Sequence, residues 1–353
     1  MKKYTVAIDI SPLSSGHKVR GVGHYTSHLQ SSLNSLKQEK FNFIFYSKKE
    51  DVKESVDLWH IPYSDPFFMQ IPLNNLSKTM VTVHDLTPIV LSELYPKGIR
   101  GSFAWQINKW ALQHVQGIVT PSQSSKNDIS RLALVSDEKI FVTPLGVDPL
   151  FHKITDKKKC ASIRAKYQLP EKFALYVGDV TPNKNLPRLV RAATVAHMPL
   201  IMVGKSLTET DFDKTNAMNQ DRIYVQNYCK EHPNIKLVGY VSDEDLALLF
   251  NVATCVVYPS LYEGFGLPVV QAMASGTPVI TSSVSSLPEV VGEAALLIDP
   301  NDENTITTAM QSLLSDEKLA DRLAKDGLLR AKRFTWEHHG EMVLKAYEAI
   351  LTH

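Results

Sequence analysis

The strongest constraint on the fold is an alternation that runs along all 353 residues. Short apolar runs rich in β-branched residues are followed, repeatedly, by longer segments with helical spacing. In the first half the runs lie at 4–10, 42–46, 58–60, 80–84, 117–120 and 140–143. Between them, 23–36 places Tyr25, Leu29, Leu33 and Leu36 on one helical face, and 98–115 forms a second helix. The second half repeats the plan, with runs at 173–177, 200–203, 235–238, 255–258, 279–281 and 295–298 and helices at 186–196, 223–231, 243–250 and 267–274. The chain then reads as helical over 304–323 and 336–351. Continuous apolar runs of this length are strands buried on both faces, and strands alternating with helices build a parallel, doubly wound sheet. We therefore expect an α/β chain of two Rossmann-like domains facing each other across a cleft. The first is residues 1–150, the second 151–335, and a last helix follows at 336–353. The polar run Asp156-Lys157-Lys158-Lys159 suits a linker near the boundary.

Charge narrows the partners. Lys plus Arg number 38 and Asp plus Glu 37, and such a balance disfavours non-specific binding to nucleic acid, where phosphates demand excess cation. Residues 1–150 carry 16 basic and 13 acidic side chains, the rest 22 and 24, too small a difference to mark a membrane face. Cys160, Cys229 and Cys255 are far apart and odd in number, so they build neither a disulfide framework nor a CxxC metal site. A reducing compartment fits, and a cytoplasmic location, at the inner face of the membrane if the acceptor is lipid-linked, is the expectation. The amino terminus lacks the pattern of a signal peptide, because Asp9 interrupts the apolar run early. No run of about 18 apolar residues offers a membrane span.

Ligands of open α/β sheets bind beyond the carboxyl ends of the strands, so the residues just after each run are the candidates. The richest such stretch is Tyr258–Pro278. A strand ends at Tyr258, a loop with Gly264 and Gly266 follows, and Pro268 stands where a first helical residue belongs. Gly276 and Pro278 close the helix. The amides of Gly264, Phe265, Gly266 and Leu267 thus lie at a helix amino terminus, whose unpaired donors and positive dipole suit a phosphate. Glu263 beside them is unfavourable for phosphate alone. It makes sense if it grips sugar hydroxyls while the amides hold a phosphate.

This stretch resembles the signature of the retaining GT-B glycosyltransferases of family four: a Glu, seven residues, then a second acidic residue, within an EGFGLP…EAMA-G-PVI pattern. The second acidic position is Gln271 here. In the family it bonds the ribose of the nucleotide, and a Gln keeps an acceptor oxygen for that contact. The resemblance extends to other strand ends. The loop Gly178–Asn185 resembles the family's loop that brings a Lys, here Lys184, to the donor diphosphate; Asp179 stands where many relatives carry an Arg, and Lys205 is a candidate substitute. Gly239, Tyr240 and Val241 match the backbone that holds the nucleotide base. Arg20-Gly21-Val22-Gly23 resembles the first glycine-rich loop, toward the donor phosphate. His84 matches a contact to the donor sugar and Asp85 an acceptor-side group, after which Pro88 breaks the chain. Asp243-x-Asp245 invites a metal reading, but Ser242 followed by Asp245 reads as a helix cap.

The resemblance implies that the last helix, 336–353, crosses back to the first domain, and it implies transfer of a hexosyl group from a nucleotide diphosphate sugar to a glycan or lipid-linked acceptor, with retention at the anomeric carbon. Retaining hydrolases place two carboxylates about 5 Å apart, and no convincing second carboxylate is legible here. Same-face attack fits better, the departing phosphate oxygen taking the acceptor's proton. Catalysis then rests on orientation and on stabilising the leaving diphosphate, with neither metal nor cofactor expected. The family members most similar are bacterial mannosyltransferases that use GDP-mannose. The stretch 103–110, with Phe103, Trp105 and Trp110, fits a peripheral membrane contact or a helix packed on the sheet. A nucleotide-sugar epimerase of similar fold and a catalytically silent sugar-nucleotide-binding subunit remain alternatives, the latter prompted by Gln271 and Asp179.

Overall fold

The computed structural model of the chain describes residues 3–14 and 21–352. Its strands and longer helices begin with β1 (Tyr4–Asp9), α1 (Gly21–Ser35), β2 (Phe41–Tyr46), β3 (Leu58–Ile61), β4 (Thr79–Thr82), α2 (Thr87–Val90), α3 (Gly98–His114), β5 (Gly117–Thr120), α4 (Gln123–Ala133) and β6 (Ile140–Val142). They continue as α5 (Lys157–Lys166), β7 (Ala174–Val177), α6 (Leu186–Val195), β8 (Leu200–Val203), α7 (Lys205–Thr208), α8 (Gln220–Glu231), β9 (Ile235–Val238) and α9 (Asp243–Val252). The last are β10 (Cys255–Tyr258), α10 (Leu267–Ala274), β11 (Val279–Ser282), α11 (Leu287–Val291), β12 (Leu296–Ile298), α12 (Glu303–Ser315), α13 (Glu317–Ala331) and α14 (Trp336–Leu351).

The chain divides into two compact units. The first comprises Met1–Ser92, Lys97–Gly146 and Thr335–His353, the second Glu93–Pro96 and Val147–Phe334. Each holds a six-stranded sheet, in the order β2-β1-β3-β4-β5-β6 and β12-β11-β10-β7-β8-β9. All pairings are parallel. In the second sheet the chain runs outward from β7 through β8 to β9, then returns to the other side of β7 and runs outward again from β10. This is the doubly wound order, and the strand order reverses between β7 and β10, whose pairing is itself parallel. Helices cover both faces of such a sheet, so β4, β5, β7, β8, β10 and β11 are buried along their whole length.

In the first unit one sheet face packs Val81, Ile118 and Ile140 against Trp105 and Leu112 of α3 and Ile129 of α4. The other packs Ile8, Met80 and Val119 against Tyr25 and Leu29 of α1 and Val343 and Tyr347 of α14. The terminal helix thus belongs to the first unit, as expected. Tyr347 also sends its hydroxyl to within 2.6 Å of His60 Nδ1 on β3.

Some local expectations give way. The run Asp156–Lys159 is not a linker. Asp156 Oδ1 accepts from the amides of Lys158 (2.9 Å) and Lys159 (3.2 Å), and this cap starts α5 on good helix formers. The single helix expected over 304–323 is two. Asp316 leaves helical geometry and its Oδ1 accepts from Leu319 N at 2.9 Å, capping α13. Pro88 does not break the chain but occupies the first turn of α2, where a missing N–H costs nothing. Glu93–Pro96, assigned by sequence to the first half, clusters with the second unit, where Tyr95 donates to Asn183 Oδ1 at 2.6 Å.

Candidate active site

The loops after β7 and β10 meet where the strand order of the second sheet reverses. Beyond β7, Lys184 ends a short 3₁₀ turn and is flanked by two buried asparagines. Asn183 Oδ1 accepts from Thr181 Oγ1 (2.7 Å), and its Nδ2 donates to Tyr262 O (2.9 Å). Asn185 adopts φ 59°, a left-handed geometry that Asn tolerates. Its Nδ2 donates to Pro259 O (3.0 Å) and Pro300 O (2.7 Å). The backbone on either side of Lys184 is thereby fastened to the loop after β10.

Lys184 Nζ donates to Glu263 Oε1 at 2.6 Å and to Tyr258 Oη at 2.7 Å. The Tyr258 ring also receives the ammonium 5.0 Å from its centroid and stacks on Tyr176 of β7 at 6.0 Å. Burial alone would depress the Lys184 ammonium. The Glu263 charge, with Tyr258, Tyr176 and the hydrogen bond to Glu263, outweighs it and holds the pKa well above the ordinary value. The backbone of Glu263 is fixed from β11: its N–H donates to Ser285 Oγ (3.0 Å) and its C=O accepts from Ser286 Oγ (2.9 Å).

Gly264, Phe265 and Gly266 are buried, and Leu267 opens α10. Gly266 has φ 93°, and a Cβ there would lie 2.7 Å from Leu287 Cδ2, so both backbone and space require glycine. Among the described residues no side chain caps α10, and of its first-turn amides Val269 N donates to Gly266 O at 2.9 Å. Gln271 is buried on that helix.

Other expected donor residues are placed differently. Val241 is buried and Tyr240 exposed, while Gly239 admits Thr208, whose Oγ1 would stand 2.7 Å from a Cβ. Lys205 begins α7 with its side chain exposed, and its ion pair, at 3.8 Å, goes to Glu209 rather than toward Glu263. Asp179 accepts from Ser206 Oγ at 3.0 Å. Asp245 carries the cap's amide but spends its carboxylate on Lys166 and Tyr167.

In the first unit Gly21 and Gly23 form the opening turn of α1, Gly21 exposed and Gly23 buried. Arg20 lies outside the described residues. Asp85 Oδ1 accepts from Thr87 N at 2.8 Å, an Asx turn just ahead of α2. His84 packs edge-on to Tyr25, ring centroids 4.6 Å apart, and its buried Nε2 has no hydrogen-bond partner among the described residues. Burial pushes its imidazole down to about 4, against a smaller upward pull from the Pro62 carbonyl. The helix α3 packs Trp105 inward and presents Ile99, Phe103 and Trp110 to solvent. No helix among the described residues is long and apolar enough to cross a membrane.

Sequence reasoning passed over Tyr258, Asn183, Asn185, Ser285 and Ser286. The visible signal was an Asn on each side of the lysine, since Asn is the side chain best suited to a left-handed bend that also needs a donor.

Two Rossmann-like units, each built on an all-parallel six-stranded sheet, give the chain the two-domain α/β fold of the GT-B class. The sequence pattern of the glycosyl transferases group 1 matches residues 161–330, and that of glycosyltransferase family 4 matches residues 12–150. The chain is 34% identical over 284 residues to the O-antigen chain mannosyltransferase B of Escherichia coli, covering 78% of this chain and 72% of that one. The chain belongs to this family of group 1 glycosyltransferases. Sucrose-phosphate synthase from Thermosynechococcus elongatus shares the fold with a TM-score of 0.75 and 22% identity, over 99% of this chain and 100% of that one. HepE of Anabaena in complex with UDP-glucose shares it with a TM-score of 0.72 and 14% identity, over 98% and 99%.

Proposed function

We propose that the chain transfers a mannosyl group from GDP-mannose to a hydroxyl of a glycan or lipid-linked sugar, with retention of configuration. The observation that carries this reading is the Lys184–Glu263 pair at the β7/β10 switch point, 2.6 Å apart and beside the uncapped start of α10. The similarity to a mannosyltransferase supports the sugar, and a fold shared with a protein that binds UDP-glucose supports a nucleotide-sugar donor.

Glu263 accepts hydroxyls of the sugar. Lys184 and the amides from Gly264 to Leu267 face the diphosphate, Gln271 the ribose, and the backbone of Gly239–Val241 the base. In the first unit, Gly21 and Gly23 serve the phosphate, the neutral His84 imidazole offers Nε2 to a sugar hydroxyl, and Asp85 serves the acceptor. In the step itself the bond from the anomeric carbon to the phosphate oxygen breaks, and the acceptor oxygen bonds that carbon from the same face. The acceptor proton passes to the departing phosphate oxygen. Cationic and dipolar groups set in place before reaction stabilise that oxygen, without a metal ion.

Purified protein given GDP-mannose and a mannooligosaccharide in excess chelator tests this reading. The expected product carries a new α-linkage, read by NMR, formed at a rate the chelator leaves unchanged. A β-linked product overturns retention, loss of turnover in chelator overturns the metal-free step, and donor binding without turnover makes the chain a silent binder.

A further inference from the structure

Lys184 has two partners, and a ligand acts on them differently. Glu263 Oε1 accepts from its Nζ at 2.6 Å and Tyr258 Oη at 2.7 Å. An ammonium carries three N–H donors, so one is left for a ligand. The Glu263 contact is the one a sugar competes for, because its hydroxyls seek the same carboxylate. The Tyr258 contact is not open to that competition. Tyr258 closes β10 and is only 2% exposed, so a ligand in the site does not reach its hydroxyl.

The sheet holds that hydroxyl still. The Tyr258 ring lies 16° from parallel to the ring of Tyr176 on the neighbouring strand β7, and the Tyr176 hydroxyl donates to Asp179 O at 3.0 Å. On the other side, Thr281 Oγ1 of β11 donates to the Tyr258 carbonyl at 3.0 Å. Burial, with the Glu263 charge beside it, pushes the Tyr258 phenol well above its ordinary value, so the hydroxyl keeps its proton. The neutral phenol therefore accepts from Lys184 and is hydrogen-bonded to Glu263 as well, a bridge behind the ion pair. Lys184 itself has no such rigidity, since an ammonium on a four-carbon stem takes whatever direction its partners impose.

We propose that Tyr258 is a positioning residue for the leaving diphosphate: its hydroxyl holds the Lys184 ammonium in place once a donor has drawn Glu263 to the sugar. The proposal rests on the glycosyl-transfer reading above and adds to it an uncharged anchor behind the lysine. Without the anchor the ammonium is free to change rotamer, and its N–H is no longer fixed on the phosphate oxygen where charge collects as the bond to the anomeric carbon breaks. The departed diphosphate carries more negative charge than the sugar-linked form. The loss therefore falls on turnover and on affinity for the product rather than on affinity for the donor.

The test compares the wild type with Tyr258→Phe, Lys184→Met, the double variant and Thr281→Val, melting temperature verifying the fold of each. Steady-state kinetics with GDP-mannose give kcat and donor KM, and calorimetry gives the affinity for GDP. Tyr258→Phe keeps the ring and its stack. It is expected to lower kcat about ten-fold, equivalent to about 1.4 kcal/mol of barrier. Donor KM is expected to stay within about two-fold, and GDP to bind about ten-fold more weakly. On the Lys184→Met background the same substitution is expected to change neither kcat nor GDP affinity, because a positioning residue acts only through the group it positions. Thr281→Val takes the bond from the Tyr258 carbonyl but leaves the hydroxyl, and it is expected to keep wild-type kcat and GDP affinity whatever it costs in melting temperature. Wild-type kcat and GDP affinity in Tyr258→Phe, an equal loss on the Lys184→Met background, or the same loss in Thr281→Val overturns the anchor while leaving the transfer reaction standing. A protein that turns over no donor, yet loses GDP affinity on Tyr258→Phe only when Lys184 is present, supports the anchor and sinks the transfer reading instead.

Discussion

Lys184 and Glu263 form an ion pair 2.6 Å long, with their side chains 17% and 11% exposed, from loops that follow different strands of one sheet. An ammonium and a carboxylate so placed neutralise each other until a ligand offers each a better partner. On the proposed reading a diphosphate sugar would do this, with phosphate oxygens for Lys184 and hydroxyls for Glu263, so that binding would exchange a protein–protein contact for two protein–ligand contacts. The pair keeps the site compact and its charges ready before substrate arrives.

Removing one partner strands the other. Lys184→Met and Glu263→Gln are each expected to lower stability by about 1–3 kcal/mol, the cost of leaving a poorly solvated charge without its partner. The double variant is expected to lose less than the sum, a coupling that denaturant titration of all four proteins measures. Each single variant is expected to lower kcat/KM for the donor by roughly 10²–10³, the effect of deleting one group that stabilises developing charge. Additive stabilities would show that the two side chains do not act as a pair.

Asn185 tests the scaffold beneath the lysine. Asn185→Gly keeps the φ of 59° but leaves the carbonyls of Pro259 and Pro300 without their donor. A loss of about 1–3 kcal/mol is expected from those orphaned acceptors. Asn185→Ala loses the same bonds and adds about 1–2 kcal/mol of left-handed strain. The order Asn > Gly > Ala in thermal melts, with kcat falling in step, is the signature of a residue that aims Lys184. Equal melting points for the Gly and Ala variants would remove the strain argument.

How much of this was readable from sequence follows from the range of the interactions concerned. The strands were legible because a strand buried on both faces leaves a local mark, a short run of apolar residues such as Leu200–Val203 or Cys255–Tyr258. The pairing of β7 with β10 was not, because it joins residues about eighty positions apart and no local spacing encodes it. Glu263 and Lys184 could be picked out from their neighbours in sequence, whereas their direct contact is a product of that pairing. Helix ends set by one side chain, at Asp156 and Asp316, were hidden because the same acids also belong to polar, linker-like text. The ion pair of Lys205 with Glu209, one turn on, was not legible either, because position after a strand says nothing of side-chain direction.

The close approach of the loops after β7 and β8 supplies another test. A Cβ at Gly204 would lie 2.1 Å from the carbonyl oxygen of Gly178. Gly204→Ala therefore forces the backbone of the loop that carries Lys184 to move. A loss of about 1–3 kcal/mol is expected, the usual cost of overpacking. Donor KM is expected to rise together with the fall in stability, read by denaturant titration and steady-state kinetics on the same preparation. An alanine variant with wild-type stability and KM would mean the loop yields freely.

Acid sensitivity follows from three buried histidines of the first unit. His60 touches Tyr347 Oη at 2.6 Å and Thr82 Oγ1 at 2.8 Å, and His339 Nδ1 donates to the carbonyls of Thr143 and Pro144. Burial, reinforced by their neighbouring imidazoles, pushes His60 down to about 3, and burial pushes His84 and His339 down to about 4. In the unfolded chain each takes up a proton near pH 6.5. Between pH 6.5 and about 4 the unfolded state therefore binds protons that the folded state refuses, and stability falls as pH falls through that window. Each histidine contributes a slope of up to about 1.4 kcal/mol per pH unit. Urea titrations from pH 7.5 to 5, above the range where most carboxylates titrate, are expected to show this decline. His339→Gln, which keeps a donor for the two carbonyls, is expected to shallow the slope by one proton's worth. A stability that is flat or rises toward pH 5, or a slope that His339→Gln leaves unchanged, would mean these imidazoles are protonated in the folded chain after all.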